Sequence, residues 1–170
     1  MSYPEFQLEE FFVQRMRIDW HEPPGTVTTN LAFSFDYDVA THKTEKNRYR
    51  LVFRVAAKSN TPEPVGYEID CEIAGFFTFN DGLDKQKMAK LIRLNGCTML
   101  YGILRGQIAG ITGTFPGRKF ILPAFMMQDV VQEIEKAKIA KRKPAADAPI
   151  KTAQALPESP KKAAAHLAKK

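Results

Sequence analysis

An α+β fold, with a four-stranded antiparallel Greek-key sheet followed by helices, is predicted from three features of the sequence. Runs within residues 31–73 alternate apolar and polar residues with a period of two. Residues 98–112 instead repeat apolar residues at three- and four-residue spacing. The strand-like runs come first and the helix-like runs follow.

The first strand is read over residues 8–20. Phe12, Gln14, Met16, Ile18 and Trp20 fall on one face; Val13, Arg15, Arg17 and Asp19 fall on the other. His21-Glu22-Pro23-Pro24-Gly25 ends it, and about ten residues pass before the next strand, too many for a tight hairpin. The second strand turns Leu31, Phe33, Phe35, Tyr37 and Val39 inward and Ser34, Asp36 and Asp38 outward. The third has Tyr49, Leu51, Phe53, Val55 and Ala57 inward, Arg48, Arg50 and Arg54 outward. The fourth has Val65, Tyr67, Ile69, Cys71 and Ile73 inward, Glu68, Asp70 and Glu72 outward. One apolar face per strand implies antiparallel pairing with the other face in water. Outer faces that run acidic, basic, acidic place the third strand between the second and fourth. Arg15 and Arg17 suit a place beside the acidic fourth strand, which gives the order 2-3-4-1.

Ala74-Gly75-Phe76-Phe77 interrupts the alternation, and Gly75 suggests a bulge there. Asn80-Asp81-Gly82 reads as a turn. A short helix is expected over residues 84–94, with Met88, Leu91 and Ile92 inward. The next helix, roughly 98–112, buries Leu100, Ile103, Leu104, Ile108 and Ile111. Its other stripe is almost bare: Gly102, Gly106 and Gly110 lie at i, i+4 and i+8. Each Gly inside a helix costs about 1 kcal/mol relative to Ala. Three on one face suggest either close approach of another backbone or simply a weak helix. Thr114-Phe115-Pro116-Gly117 is a turn, Phe120-Ile121-Leu122-Pro123 an extended run, and a last helix starts near Gln128 with Val130, Val131 and Ile134 inward. Two regions follow: a folded domain over 1–135, and a Lys/Ala/Pro-rich tail over 136–170 expected to be disordered for want of apolar area.

The 170 residues suffice for one domain with a core. The formal charge of +6 divides unevenly, because residues 136–170 hold ten Lys/Arg against two acids and the remainder is therefore mildly acidic. No run of about 18 apolar residues occurs, so no membrane span is expected. Glu9 and Glu10 break any signal-peptide pattern. Cys71 and Cys97 lack metal or redox spacing and read as reduced thiols of a cytoplasmic protein. His21, His42 and His166 lie in two loops and the tail, with no metal-ligand pattern. GTFPGRK at 113–119 is too short for a P-loop and follows a helix rather than a strand. No catalytic arrangement, cofactor or metal is therefore expected, and the chain is not read as an enzyme.

Twelve Phe, five Tyr and one Trp are a heavy aromatic content. Most fall on core faces. Trp20 at a strand end, Phe115 in a turn, and Phe120 and Phe125 around Pro123 either cap the core edge or form an apolar surface between the 20–31 and 115–125 segments. The basic tail could solubilise, contact anionic surfaces or tether an acidic partner; it lacks aromatic residues on which bases could stack, so nucleic-acid reading is disfavoured.

Over residues 6–135 the chain resembles the SecB family of export chaperones. The likeness is most specific at Ala74-Gly75-Phe76-Phe77-Thr78, at Leu100-Tyr101 with Arg105, and at Phe115-Pro116 followed by Leu122-Pro123. The resemblance implies a Greek-key sheet with its helices packed on one side, and an ATP-independent holdase that keeps unfolded preproteins export-competent, built as a homotetrameric dimer of dimers with its long helices, here marked by Gly102, Gly106 and Gly110, at the interface. It implies client grooves beside the loops at 21–30 and 113–122, which nominates Trp20, Val27, Leu31, Phe115, Phe120, Leu122 and Phe125. It also implies docking of the SecA motor on carboxylates, of which Asp70 matches one. The chain departs from the family pattern: Ala124-Phe125 stands for Asn-Phe, Gly102 stands near a usual proline, Arg17 and His21 occupy two expected acidic positions, and the tail is basic rather than acidic. A partner-specific SecB-like chaperone, for example of a toxin–antitoxin system, and an anionic-surface binder acting through the tail are the alternative readings.

Overall fold

Alternating side chains build the sheet, and opposite charges face each other across its strands. The computed structural model describes residues 5–25, 30–42, 44–45 and 47–142. Four strands, β1 (Phe6–His21), β2 (Leu31–Thr41), β3 (Arg48–Ser59) and β4 (Gly66–Phe79), form one antiparallel sheet in the order β1-β4-β3-β2. This is the expected 2-3-4-1 arrangement. One rung of the outer face runs Asp36, Arg54, Glu72, Arg15 across the four strands. Arg54 sits at its centre, 2.6 Å from Glu72, 2.7 Å from Asp38 and 3.4 Å from Asp36. Placing acidic β2 beside acidic β4 instead would set like charges side by side.

These ion pairs face water and individually stay below about 1 kcal/mol. The hydrogen bond from Arg54 nevertheless holds the Asp38 carboxyl below its ordinary range. A depressed folded-state value contributes stability above the unfolded carboxylate range and loses it as pH falls through the folded value. Thermal stability of the wild type should therefore fall on acidification, and Arg54→Met should flatten that dependence. Parallel pH profiles of the two proteins would contradict the assignment.

The alternation expected for β1 fails in its middle. Register shifts between Leu8 and Glu10, and again between Val13 and Arg15, each turn the following residues over. Val13, Met16, Ile18 and Trp20 pack against the core, while Phe12 stands on the outer face beside Phe76, with ring centroids 6.0 Å apart. The bulge expected at Gly75 is absent, because β4 pairs with β3 in unbroken register there. Gly75 is small for another reason: a Cβ would lie 2.9 Å from Leu100 Cδ2 and from the Phe77 ring.

Asp84 caps α1 (Lys85–Leu91), accepting from the backbone N–H groups of Gln86 (3.0 Å) and Lys87 (3.3 Å). A single π-helical turn, Ile92–Gly96, then joins α1 directly to α2 (Cys97–Thr112), where the sequence suggested two separate helices. Gly96 lets this joint settle on the sheet, since a Cβ there would lie 2.7 Å from Leu51 Cδ2. Leu100, Leu104 and Ile108 of α2 are buried as expected, whereas Ile111 is exposed. They join Leu51, Phe53, Val55, Ile69, Ile73 and Phe77 in a core between the inner face and the helices.

The last helix, α3 (Met127–Arg142), continues about two turns past Lys136, where disorder was expected. Ala, Lys and Ile are helix-compatible, and tertiary contacts hold the extension. Lys138 lies 3.0 Å from Asp36 and over the Tyr37 ring at 4.5 Å. Glu135 accepts from Tyr37 Oη (2.9 Å) and Arg93 (2.8 Å). Burial and the Glu135 carboxylate raise the Tyr37 hydroxyl pKa. Residues 143–170, the rest of the expected tail, lie outside the described residues. Both cysteines are free and buried, and burial pushes Cys71 up to about 11 and Cys97 up to about 12, so both are protonated thiols near neutrality. Among the described residues no helix is long and apolar enough to cross a membrane.

Candidate functional site

Trp20 is the next-to-last residue of β1, and its backbone pairs with Tyr67 at the start of β4. The strand pleat turns both rings to the inner face, where their centroids are 4.7 Å apart. Tyr67 is buried and forms the floor. Phe120 lies 5.5 Å from it and Phe115 6.1 Å, both contributed by the long segment between α2 and α3. Trp20, Pro23, Leu31, Tyr67, Pro116 and Phe120 thus line a groove of about 610 Å³ beyond the end of the sheet.

Two residues hold the segment in place. Gly117 rests directly on the Trp20 indole, and a Cβ there would lie 2.7 Å from the ring. Thr112, fully buried at the end of α2, accepts from the Phe120 backbone N–H (3.0 Å) and donates to Ile108 O (2.7 Å). The same hydroxyl therefore closes α2 and ties down the returning chain. The Gly117–Trp20 contact is far from local in sequence. The Pro116-Gly117 pair signalled only a turn, and neither Tyr67 nor Thr112 was distinguishable from other core residues.

The nominated residues separate. Trp20, Leu31 and Phe120 share the groove, with Phe115 behind its Tyr67 floor. Leu122 is fully buried and belongs to the core, so it is no part of an accessible apolar surface. Its place in an extended run gave no sign of which side faced the core. Phe125 joins a different cluster, 5.2 Å from Phe33 and 5.0 Å from Phe35, with Tyr101 donating to Pro123 O beside it. Val27 lies outside the described residues.

Asp70 stands on the outer face, 2.9 Å from Arg15 and paired across the ladder with Arg17. Arg17 is itself 2.7 Å from Asp19. The patch alternates in sign rather than presenting uncompensated carboxylates. Gly102, Gly106 and Gly110 line an exposed face of α2, and a Cβ at any of the three would meet nothing within 4 Å. The close neighbour that the stripe suggests is thus not supplied by the described part of this chain. A second hollow of about 490 Å³ between α1 and α3 is bordered by Gln86, Lys90, Arg93, Gln132 and Glu135 and lacks an aromatic floor. Among the described residues no group of three His, Cys, Asp or Glu side chains could hold a metal ion.

The family described as "SecB: Preprotein translocase subunit SecB" matches residues 1–130. No curated protein matches in sequence. Among solved structures, the Mycobacterium tuberculosis Rv1957 SecB-like chaperone, in complex with a ChAD peptide from the Rv1956 HigA1 antitoxin, superposes with a TM-score of 0.59 at 16% identity, covering 71% of this chain and 91% of that one. A protein of unknown function from Streptococcus agalactiae aligns over 72% of this chain and all of its own, at 16% identity and a TM-score of 0.44. With a four-stranded 1-4-3-2 sheet, helices on one face and a match over residues 1–130, the chain belongs to the SecB family.

Proposed function

We propose that this protein is an ATP-independent holding chaperone that binds unfolded polypeptides in the Trp20–Phe120 groove and keeps preproteins in the cytoplasm competent for export. The observation that carries this reading is a half-exposed tryptophan and phenylalanine flanking a buried tyrosine floor, in a hollow of about 610 Å³. Exposed apolar surface of this kind marks binding sites, and aromatic walls accept varied apolar side chains without demanding one sequence. Ile121 and Met126, 51% and 73% exposed, add apolar surface on the same segment. The test is aggregation of a chemically unfolded client diluted into buffer. Stoichiometric addition of the protein should suppress light scattering, and unchanged scattering would remove the reading.

The working unit in this proposal is a dimer of dimers joined through the bare face of α2. Three glycines that no described residue covers support it. Gly106→Leu should raise intrinsic helix propensity by about 1 kcal/mol while blocking close approach, so solution mass should halve as thermal stability holds. A variant that keeps the four-chain mass would exclude this interface.

A second reading, a chaperone dedicated to one partner such as an antitoxin, is favoured by the pairing of Asp70 with Arg15 and Arg17, which leaves little net negative charge for a motor to dock on. Titration with the SecA zinc-bearing tail separates the two. Binding at micromolar concentration supports the export role, and none supports the dedicated one.

A further inference from the structure

We infer that the groove prefers apolar segments flanked by acidic residues, because the charged residues described on its border are both basic. The inference rests on the client-holding reading and specifies the client class. Arg118 and Lys119 border the groove, and among the described residues no acidic one lines it. Among the described residues neither cation has a carboxylate within 4 Å, although Arg15, Arg17, Arg48, Arg54 and Arg93 each have one. The backbone that carries the pair is held at both ends. Gly117 is pressed against Trp20 on one side, and the Phe120 N–H is held by Thr112 on the other. The two cations therefore sit on a link anchored at both ends, beside the aromatic walls, rather than on a free loop.

A client lying along the groove would place its apolar side chains on Trp20, Tyr67 and Phe120, with flanking residues near Arg118 and Lys119. Asp or Glu there gains attraction, and Lys or Arg meets repulsion. Like-charge juxtaposition discriminates between partners even where the attraction itself is modest. The preference should fade as salt rises, since the Debye length falls to about 3 Å at 1 M.

The experiment uses the full chain and two fluorescein-labelled peptides with the same Leu/Phe core, one flanked by Asp-Glu pairs and one by Lys-Arg pairs. Fluorescence anisotropy at low salt should show the acidic-flanked peptide binding about tenfold more tightly, with the gap closing at high salt. The Arg118→Glu/Lys119→Glu double variant should reverse the order, whereas Trp20→Ser should weaken both peptides alike. The basic residues after Arg142 are present in every protein tested. A preference that survives the double reversal therefore belongs to them and overturns the proposal, as does equal binding of both peptides by the wild type. Loss of preference with apolar binding retained fails only the charge inference. Failure of either peptide to bind the wild type, or indifference to Trp20→Ser, fails the groove reading as well.

Discussion

Replacing Trp20 with serine should weaken client binding by about thirtyfold while leaving secondary structure and solution mass unchanged. A large aromatic side chain can bury 150–250 Å², and this one is already partly covered by Tyr67 and Gly117. Covering the remainder stabilises a complex by about 2 kcal/mol at the usual apolar coefficient, which corresponds to about thirtyfold in affinity. The ring lies at the end of the sheet rather than in its centre, so its removal should cost the fold less than truncation of Phe53 or Phe77, which are fully buried. Gly117→Val approaches the same contact from the opposite side. Its side chain cannot occupy the space held by the indole, so either the ring or the segment must shift, and client binding should fall although Trp20 is retained. Equilibrium anisotropy with a labelled unfolded client measures both effects. Wild-type affinity in the two variants together would place the client elsewhere.

Thr112→Val should destabilise the protein by about 1–3 kcal/mol despite its nearly identical shape. The substitution removes the acceptor for the Phe120 N–H and the donor to Ile108 O. A half-buried amide then has no partner, and the cost of an unmade hydrogen bond exceeds the net value of a made one. The effect should be local as well as global: hydrogen exchange at Phe120 should accelerate and client affinity should drop, because the groove loses the anchor of one wall. Denaturant unfolding and exchange measured together check this. Unchanged exchange at Phe120 would show that the segment is held by its aromatic contacts alone.

Different residues divide sharply in how much the sequence said about them. The sheet was legible because alternation is a local property: a two-residue period places Leu51, Phe53 and Val55 on one face whatever else is nearby. The middle of the strand order was legible because the outer faces of β2, β3 and β4 each carry one sign of charge, so the Asp36–Arg54–Glu72 rung could be anticipated strand by strand. The buried stripe of α2 follows from the 3.6-residue repeat in the same way. The candidate site was legible only in part. Trp20, Leu31 and Phe120 stood out as aromatic or apolar residues at element ends, but Leu122 and Phe125, nominated on the same grounds, went to the core and to a separate cluster with Phe33 and Phe35.

By itself, then, the sequence determined the class of fold, the middle of the strand order and the presence of spare aromatic residues near two loops, since periodicity and charge act between close neighbours along the chain or across one ladder. Tertiary structure alone decided the reversals of face at the two β1 bulges, the continuation of α3 beyond Lys136, and the assembly of Trp20, Tyr67, Gly117 and Phe120 into one groove. Those outcomes depend on contacts between residues 45 to about 100 positions apart, such as Tyr67 with Phe120 and Tyr37 with Lys138, and the energy of such contacts exists only once the sheet has brought both ends together.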